Sequence, residues 1–309
     1  MNFFKKYKDT FILYGGLLLA FIVLVLLAIL PQKQVPYSST AIDLGFFEIQ
    51  WYAIFILSGI TFAGIMAYFE MKRKNMDTDI LWDGLLYGVP LAIVGARIWY
   101  ILFNLDQVKT FIDLFAIWEG GLAIHGGVIV TFLFLIWFTR FKKISYWAFL
   151  DIVAPGFLIG QTLGRWGNFM NQELYGAPVN HLNFLPKFIS EQMYINGQFR
   201  QPTFLYESLW NFVGLVFILI IRRFKVFKIG DALAFYLTWY GVGRIITESM
   251  RLESGVSEPL MAFGIPVSIL VSVLFILSGI ALFVLKRIYA KDLPYYVDYK
   301  VESVEEKNV

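Results

Sequence analysis

The sequence predicts an all-α polytopic membrane protein with about eight transmembrane helices and a small extracytoplasmic cap. Three observations carry this. Of the 309 residues, 58% are apolar or aromatic and only 16% are charged, against roughly 25% charged in an ordinary soluble domain. Eight apolar stretches approach the length of about 20 residues that crosses a hydrocarbon core of about 30 Å. Basic residues cluster in alternate loops. Charge this sparse excludes disorder, a coiled coil and most soluble folds. The absence of Cys excludes disulfides, thiolate metal sites and a cysteine nucleophile, and two histidines, His125 and His181, are too few for a His-rich metal site.

The expected spans are Phe11–Leu30, Trp51–Phe69, Leu81–Phe103, Gly121–Phe138, Trp147–Leu163, Tyr206–Ile221, Asp231–Ser249 and Phe263–Leu285. The first follows a basic segment, Lys5–Lys8, as a signal peptide would. Its apolar run is longer than a usual signal h-region, and Pro31-Gln32-Lys33 follows it in place of a small-residue cleavage site, so a retained helix is expected. With the N-terminus cytoplasmic, the inside segments hold 18 of the 26 Lys and Arg. The positive-inside rule thus supports eight spans with both termini cytoplasmic. Residues 165–205 form the longest outside loop. Its Asn196-Gly197 pair signals a hairpin turn, and it reads as the cap, with short strands. Residues 1–50 carry the first helix and an outer loop, 51–290 a seven-helix core that includes the cap, and 291–309 a polar, mobile cytoplasmic tail. No internal repeat of the kind common in secondary transporters is visible.

Ionisable groups within spans are costly and mark function or mutual pairing. Here they fall at one level, towards the outer side. Tyr52 opens an outside-to-inside helix, and Arg97 lies late in an inside-to-outside one. His125 is four residues into a descending helix, about 6 Å deep. Arg165, Asn168, Asn171 and Glu173 come as the fifth span emerges, Glu207 begins the sixth, and Arg244, Glu248 and Arg251 end the seventh. A channel or pump would place such groups at the midplane or along a path. Arg244 and Glu248 share a helix face at i,i+4, either as a structural salt bridge or as an arginine held ready for a phosphate through its forked donors. Arg165 has Glu173 as an acidic neighbour in sequence. Arg97 reads as an arginine snorkelling to the interface, and Asp151 and Asp231 as structural residues at helix N-termini. Glycine pairs abut the polar residues: Gly120-Gly121 and Gly126-Gly127 around His125, Gly164 and Gly167 around Arg165, Gly241 and Gly243 before Arg244. They admit either close helix packing or close approach of a ligand to backbone.

The run Gly164-Arg165-Trp166-Gly167-Asn168-Phe169-Met170-Asn171-Gln172-Glu173-Leu174-Tyr175-Gly176 resembles the G-R-x-G-N-F-x-N-x-E-x-x-G signature of bacterial phosphatidylglycerol–prolipoprotein diacylglyceryl transferases. Gln50-Trp51-Tyr52, Gly95-Ala96-Arg97, His125-Gly126-Gly127, Pro202–Glu207 and Tyr240–Glu248 resemble further family segments in the family's order, so the resemblance covers roughly Gln50 to Lys286. Two departures stand out. The first helix is additional to the family's seven spans, and Gln201 stands where some relatives have His. The resemblance implies transfer of diacylglyceryl from phosphatidylglycerol to the lipobox cysteine thiol of a prolipoprotein, with a thioether formed and glycerol 1-phosphate released, in the bacterial cell membrane. It implies no cofactor and no metal; the partners are the two substrates and the bilayer, with no nucleic acid. On that reading Arg165 and Arg244 clamp the phosphate, and His125 takes the thiol proton. Tyr52 assists catalysis, and Asn168, Asn171, Glu173, Gly176, Glu248 and Arg251 complete the substrate-binding set. The missing Cys fits, because the substrate supplies the nucleophile.

Other classes fare less well. A transporter or channel would show midplane charges or repeat symmetry. An intramembrane protease would show H-E-x-x-H or G-x-S-x-G, and neither is present. A non-catalytic lipid- or lipoprotein-binding protein would be expected to have lost part of the signature.

Overall fold

The computed structural model describes residues 3–105, 110–116, 120–253, 260–290 and 292–301. The fold is predominantly helical, and each of the eight apolar stretches forms a helix. A short α1 (Phe3–Lys6) precedes α2 (Lys8–Ile29). A hairpin of β1 (Thr40–Asp43) and β2 (Glu48–Gln50) leads into α3 (Trp51–Arg73), α4 (Asp79–Phe103), α5 (Ile124–Phe141) and α6 (Tyr146–Met170). Then come β3 (Pro178–Val179), α7 (Lys187–Gln192), β4 (Tyr194–Ile195), β5 (Gln198–Arg200), α8 (Thr203–Ile221) and α9 (Asp231–Leu252). A small hairpin, β6 (Met261–Ala262) and β7 (Ile265–Pro266), precedes α10 (Val267–Tyr289). Among the described residues, six helices are long and apolar enough to cross a membrane: α2, α3, α4, α6, α8 and α10. Helix α5 is a shorter apolar one. Helix α9 falls below that standard because it carries Asp231, Arg244, Glu248 and Arg251.

Two boundaries differ from expectation in ways that matter. Helix α6 continues to Met170 instead of ending at Leu163, so Arg165 and Asn168 sit on a helix and not in a loop. Helix α10 starts at Val267, because Phe263 and Gly264 adopt positive φ in the β6–β7 turn.

The chain forms two compact units, one of residues up to 66 with 153–297, the other of 67–152 with those from 298 on. In the first, small residues let helices approach closely: a Cβ on Gly59 would lie 3.0 Å from the Gly160 Cα, and one on Gly241 would lie 2.7 Å from the Ser272 carbonyl oxygen of α10. Strands β3, β5 and β4 form a three-stranded antiparallel sheet in that order. Asn196 and Gly197, both at positive φ, make the β4–β5 turn. The fully buried Gln192 fastens this segment, accepting from the Tyr37 N–H (2.8 Å) and donating to the Phe169 carbonyl (3.1 Å). Val25, Ala28 and Ile29 of α2 share one hydrophobic core with Phe55, Phe169 and Phe204.

The expected mobile tail is corrected over residues 292–301, and residues 291 and 302–309 lie outside the described residues. In the first unit the Tyr296 N–H donates to the Phe227 carbonyl (2.7 Å) and the Ile229 N–H to the Pro294 carbonyl (3.2 Å), and Tyr296 is 1% exposed. In the second the Val301 N–H donates to the Lys74 carbonyl (2.9 Å). Residues 292–301 are docked, since their aromatic residues offset the lost freedom and their backbone groups find partners. Asp231 is structural, as expected: it accepts from Arg287 at 3.0 and 2.7 Å and from the Lys228 N–H at 2.7 Å.

In the second unit α4 and α5 meet at glycines. A Cβ on Gly126 would fall 2.2 Å from the Gly95 carbonyl oxygen, a backbone atom that cannot move aside cheaply. Gly126→Ala is therefore expected to destabilise the protein by about 1–3 kcal/mol, read as a lowered Tm in detergent. Gly164→Ala, where a Cβ meets nothing within 4 Å, should leave Tm unchanged or raised.

Candidate functional site

The polar residues at the ends of α6, α8 and α9, all in the first unit, join in one network centred on Glu207. This carboxylate is 2% exposed. A lone carboxylate buried to that degree would be strongly disfavoured. Two guanidinium groups compensate it: Arg165 Nη2 lies 2.5 Å from its Oε1, and Arg244 Nη1 lies 3.3 Å from its Oε2. The Thr247 hydroxyl, one turn from Gly243 on α9, donates a further bond to Oε2 (3.2 Å).

The network extends on both sides. Arg165 Nη1 donates to Asn168 Oδ1 (3.0 Å), whose Nδ2 donates to Glu173 Oε1 (2.7 Å). Asn171 reaches the same oxygen at 3.5 Å. On α9, Arg244 Nη2 meets Glu248 at 2.7 Å, as the i,i+4 spacing predicted, and Arg251 Nη1 meets Glu248 at 2.9 Å.

The layering is informative. The Glu207 side chain is 3% exposed, while those of Arg165 and Arg244 are 18% and 15% exposed. The carboxylate is the more deeply buried partner, and the two arginine side chains keep some accessible surface. Each arginine commits two N–H donors here out of the five a guanidinium carries. The remaining donors are of the kind an anionic oxygen ligand needs.

Helix packing holds the arrangement. Trp210 of α8 and Trp239 of α9 stack with centroids 4.3 Å apart, and each indole N–H donates to the other residue's carbonyl at 2.9 Å. Gly243 leaves room for Trp210, as Gly214 does for Trp239, and Gly167 seats the ring of Tyr52, which brings Tyr52 against α6 between Arg165 and Asn168. These glycines serve packing and not ligand approach, as do Gly126 and Gly241. Gly164 alone among the glycines beside the polar residues of this unit faces open space. Gly176 is a packing residue too: its N–H donates to the Gln201 carbonyl (3.0 Å), and a Cβ there would press on Gln201 and Thr203.

The sequence offers Glu173 as the acidic neighbour of Arg165, with no helix spacing to link them. The ion-pair partner is Glu207, 42 residues away in sequence, and Glu173 acts through Asn168. Glu207 stood at the expected depth but outside the candidate set. The signal that could have singled it out was three arginines at one level facing too few carboxylates.

His125 and Arg97 belong to the second unit. His125 is half-buried in the first turn of α5. Arg97 does not snorkel. It donates to the carbonyls of Asp113, Leu114 (3.3 Å), Gly120 (2.9 Å) and Gly121 (3.0 Å) and lies over the Tyr100 ring. It thereby gathers the segment that leads into α5, where the Ala123 N–H also donates to the Ala96 carbonyl (3.0 Å).

Comparison with known proteins is unambiguous. The family model described as prolipoprotein diacylglyceryl transferase matches residues 39–285. A phosphatidylglycerol–prolipoprotein diacylglyceryl transferase of Streptococcus pneumoniae (strain ATCC 700669 / Spain 23F-1) is 49% identical over 259 residues, 83% of this chain and 96% of the relative. One of Streptococcus suis (strain 05ZYH33) is 46% identical over 267 residues, 86% of this chain and 98% of the relative.

Neutralising Glu207 leaves two guanidinium groups facing each other without their shared counter-charge. Glu207→Gln is expected to lower stability by about 3–5 kcal/mol in thermal unfolding. Glu173→Gln, which loses only amide contacts, should cost clearly less.

Proposed function

Because the chain belongs to the prolipoprotein diacylglyceryl transferase family, we propose that its Arg165–Glu207–Arg244 cluster receives the phosphate of phosphatidylglycerol. The protein is a bacterial membrane transferase of lipoprotein biosynthesis, and it moves the diacylglyceryl group of phosphatidylglycerol to a prolipoprotein. The observation that carries the phosphate assignment is the pair of partly accessible arginine side chains joined by one buried carboxylate.

The acceptor is the lipobox cysteine thiol of the prolipoprotein. The thiol loses its proton, its sulfur attacks the sp³ carbon of the glyceryl unit, a carbon–sulfur bond forms, and the carbon–oxygen bond to phosphate breaks. Glycerol 1-phosphate leaves with the electron pair. Charge accumulates on the phosphate oxygens as that bond breaks, and fixed positive donors there lower the barrier. Glu207 keeps the two guanidinium planes from collapsing outward, so they face the phosphate without reorganising. Asn168 orients Arg165, and Glu248 holds Arg244 and Arg251. An unperturbed thiol titrates near about 8.5, so a base helps, and His125 is the candidate by its chemistry. Tyr52, seated on Gly167 beside Arg165, is placed to assist in orienting substrate. Asn171 bears on substrate less directly, through Glu173, and Gly176 through the packing of its segment on Gln201.

The full eight-span topology goes with this reading, with α5 and α9 crossing beside the six more apolar helices. Both termini are cytoplasmic, residues 171–202 between α6 and α8 cap the outer side, 51–290 form the transferase core, and the site faces the outer leaflet. The loop charges support this orientation.

Arg165→Ala and Arg244→Ala should each reduce transfer from phosphatidylglycerol to a lipobox peptide by at least about a hundredfold, the scale of removing one preorganised donor. A diacylglyceryl mass shift on the peptide reports the reaction, and a near-normal rate in either variant would sink the clamp. As the base, His125 should be needed for turnover, and His125→Gln is expected to lose most of the activity. A variant that stays active from about pH 6 to about pH 9 would make His125 structural and leave thiol activation to the arginines.

A further inference from the structure

We propose that α2 forms one wall of a groove that holds an acyl chain of the phosphatidylglycerol substrate. The proposal rests on the cluster being the phosphate site. Helix α2 lies outside the segment matched by the family model, which begins at residue 39.

The helix is tied at both ends. Near its start the Tyr14 hydroxyl accepts from Arg222 Nη2 (2.5 Å) and Arg223 Nη2 (3.4 Å). Near its end Val25, Ala28 and Ile29 enter the hydrophobic core. Between the ties it stands off the bundle, leaving a cavity of about 270 Å³. Gly15, Leu18 and Phe21 of α2 line it, with Ile159 of α6 and Phe212 and Leu219 of α8. Every lining side chain except Tyr14 is apolar. A Cβ placed on Gly15 meets nothing within 4 Å. The glycine is not needed for packing, and its missing side chain widens the groove.

Position and depth identify the occupant. At the upper rim Phe21 packs edge-on against Trp166 (5.9 Å), whose indole N–H donates to the Ser208 hydroxyl (3.3 Å). Trp166 and Ser208 directly follow Arg165 and Glu207 in sequence, so the rim adjoins the ion pair. At about 1.5 Å per residue along α8, Phe212 lies about 8 Å and Leu219 about 18 Å beyond Glu207. The chains of one leaflet fill half of a core of about 30 Å, or about 15 Å. A lipid with its phosphate at the guanidinium groups therefore carries an acyl chain through this interval. Since bilayer tails are as apolar as the walls, the groove supplies position and a length limit in place of hydrophobic gain.

The test uses the full chain in detergent micelles, a lipobox peptide, and phosphatidylglycerols with two sixteen-carbon or two eight-carbon chains. Gly15→Phe plugs the groove, and its Cβ meets nothing within 4 Å. Gly16→Phe is the control, because Gly16 also faces open space but does not line the cavity. Gly15→Phe should lower kcat/KM for the long-chain lipid by about tenfold, as expected when an apolar pocket loses its fit, while the short-chain lipid changes little. Gly16→Phe should leave both unchanged. Gly15→Leu, a smaller plug with better helix propensity, should give an intermediate shift and keeps the test available if the Phe variant fails to fold. If plugging changes both lipids equally, or neither, the groove does not hold the substrate chain. Arg165→Ala measured alongside separates the two readings. Loss of activity there with an unaltered chain-length profile in the Gly15 variants overturns only the groove. A shifted profile with normal Arg165→Ala turnover overturns only the phosphate site.

Discussion

The burial of the Glu207 carboxylate is the constraint around which the first unit is organised. A charge removed from water needs opposite charges and hydrogen bonds close by, and the chain meets that need from three helices. Helix α6 delivers Arg165, which requires it to continue to Met170. Helix α9 delivers Arg244 and Thr247, which leaves it the most polar of the long helices. The crossing of α8 and α9 is then set by Trp210 and Trp239, whose stacked rings and reciprocal bonds require Gly214 and Gly243 opposite them. The same pairing that solves a solvation problem also presents two guanidinium groups at fixed separation. Stability and chemistry are therefore coupled at one residue.

The parts of this arrangement that are local in sequence can be read from it. Helix-length apolar runs, the Asn196-Gly197 turn and the Arg244–Glu248 pair each depend on residues within a few positions of one another, and each has its expected form. The contacts that depend on tertiary packing could not be read. Glu207 meets its arginines across separations of 42 and 37 residues. Depth placed these groups at one level without saying which carboxylate served which cation. The glycines show the same limit: spacing shows that something comes close, and only the fold shows that it is an indole, a tyrosine ring or another helix. Arg97 is instructive, because an arginine near a helix end has two outlets, water or unpaired carbonyls, and the composition of the span does not distinguish them.

The segments beyond the family match are joined to the matched part by different physics at each end. Helix α2 uses apolar contacts at one end and tyrosine–arginine bonds at the other, which leaves its middle unburied. The C-terminal segment uses main-chain bonds and a buried tyrosine. An apolar helix can be added wherever a membrane-facing surface exists, whereas an extended segment must find backbone groups left open by its neighbours, and residues 227–229 provide them.

This last point bears on how the protein can be handled. Tyr296 and its bonds to the 227–229 turn come after the last long helix, in a stretch that a trimming strategy based on relatives would discard. Ending the chain at residue 290 would strip the cover from a turn that follows the most basic loop, and leave the Phe227 carbonyl and the Ile229 N–H to find water. Expression tags are better carried after Val309, with the aromatic segment kept intact, than spliced directly onto the end of α10.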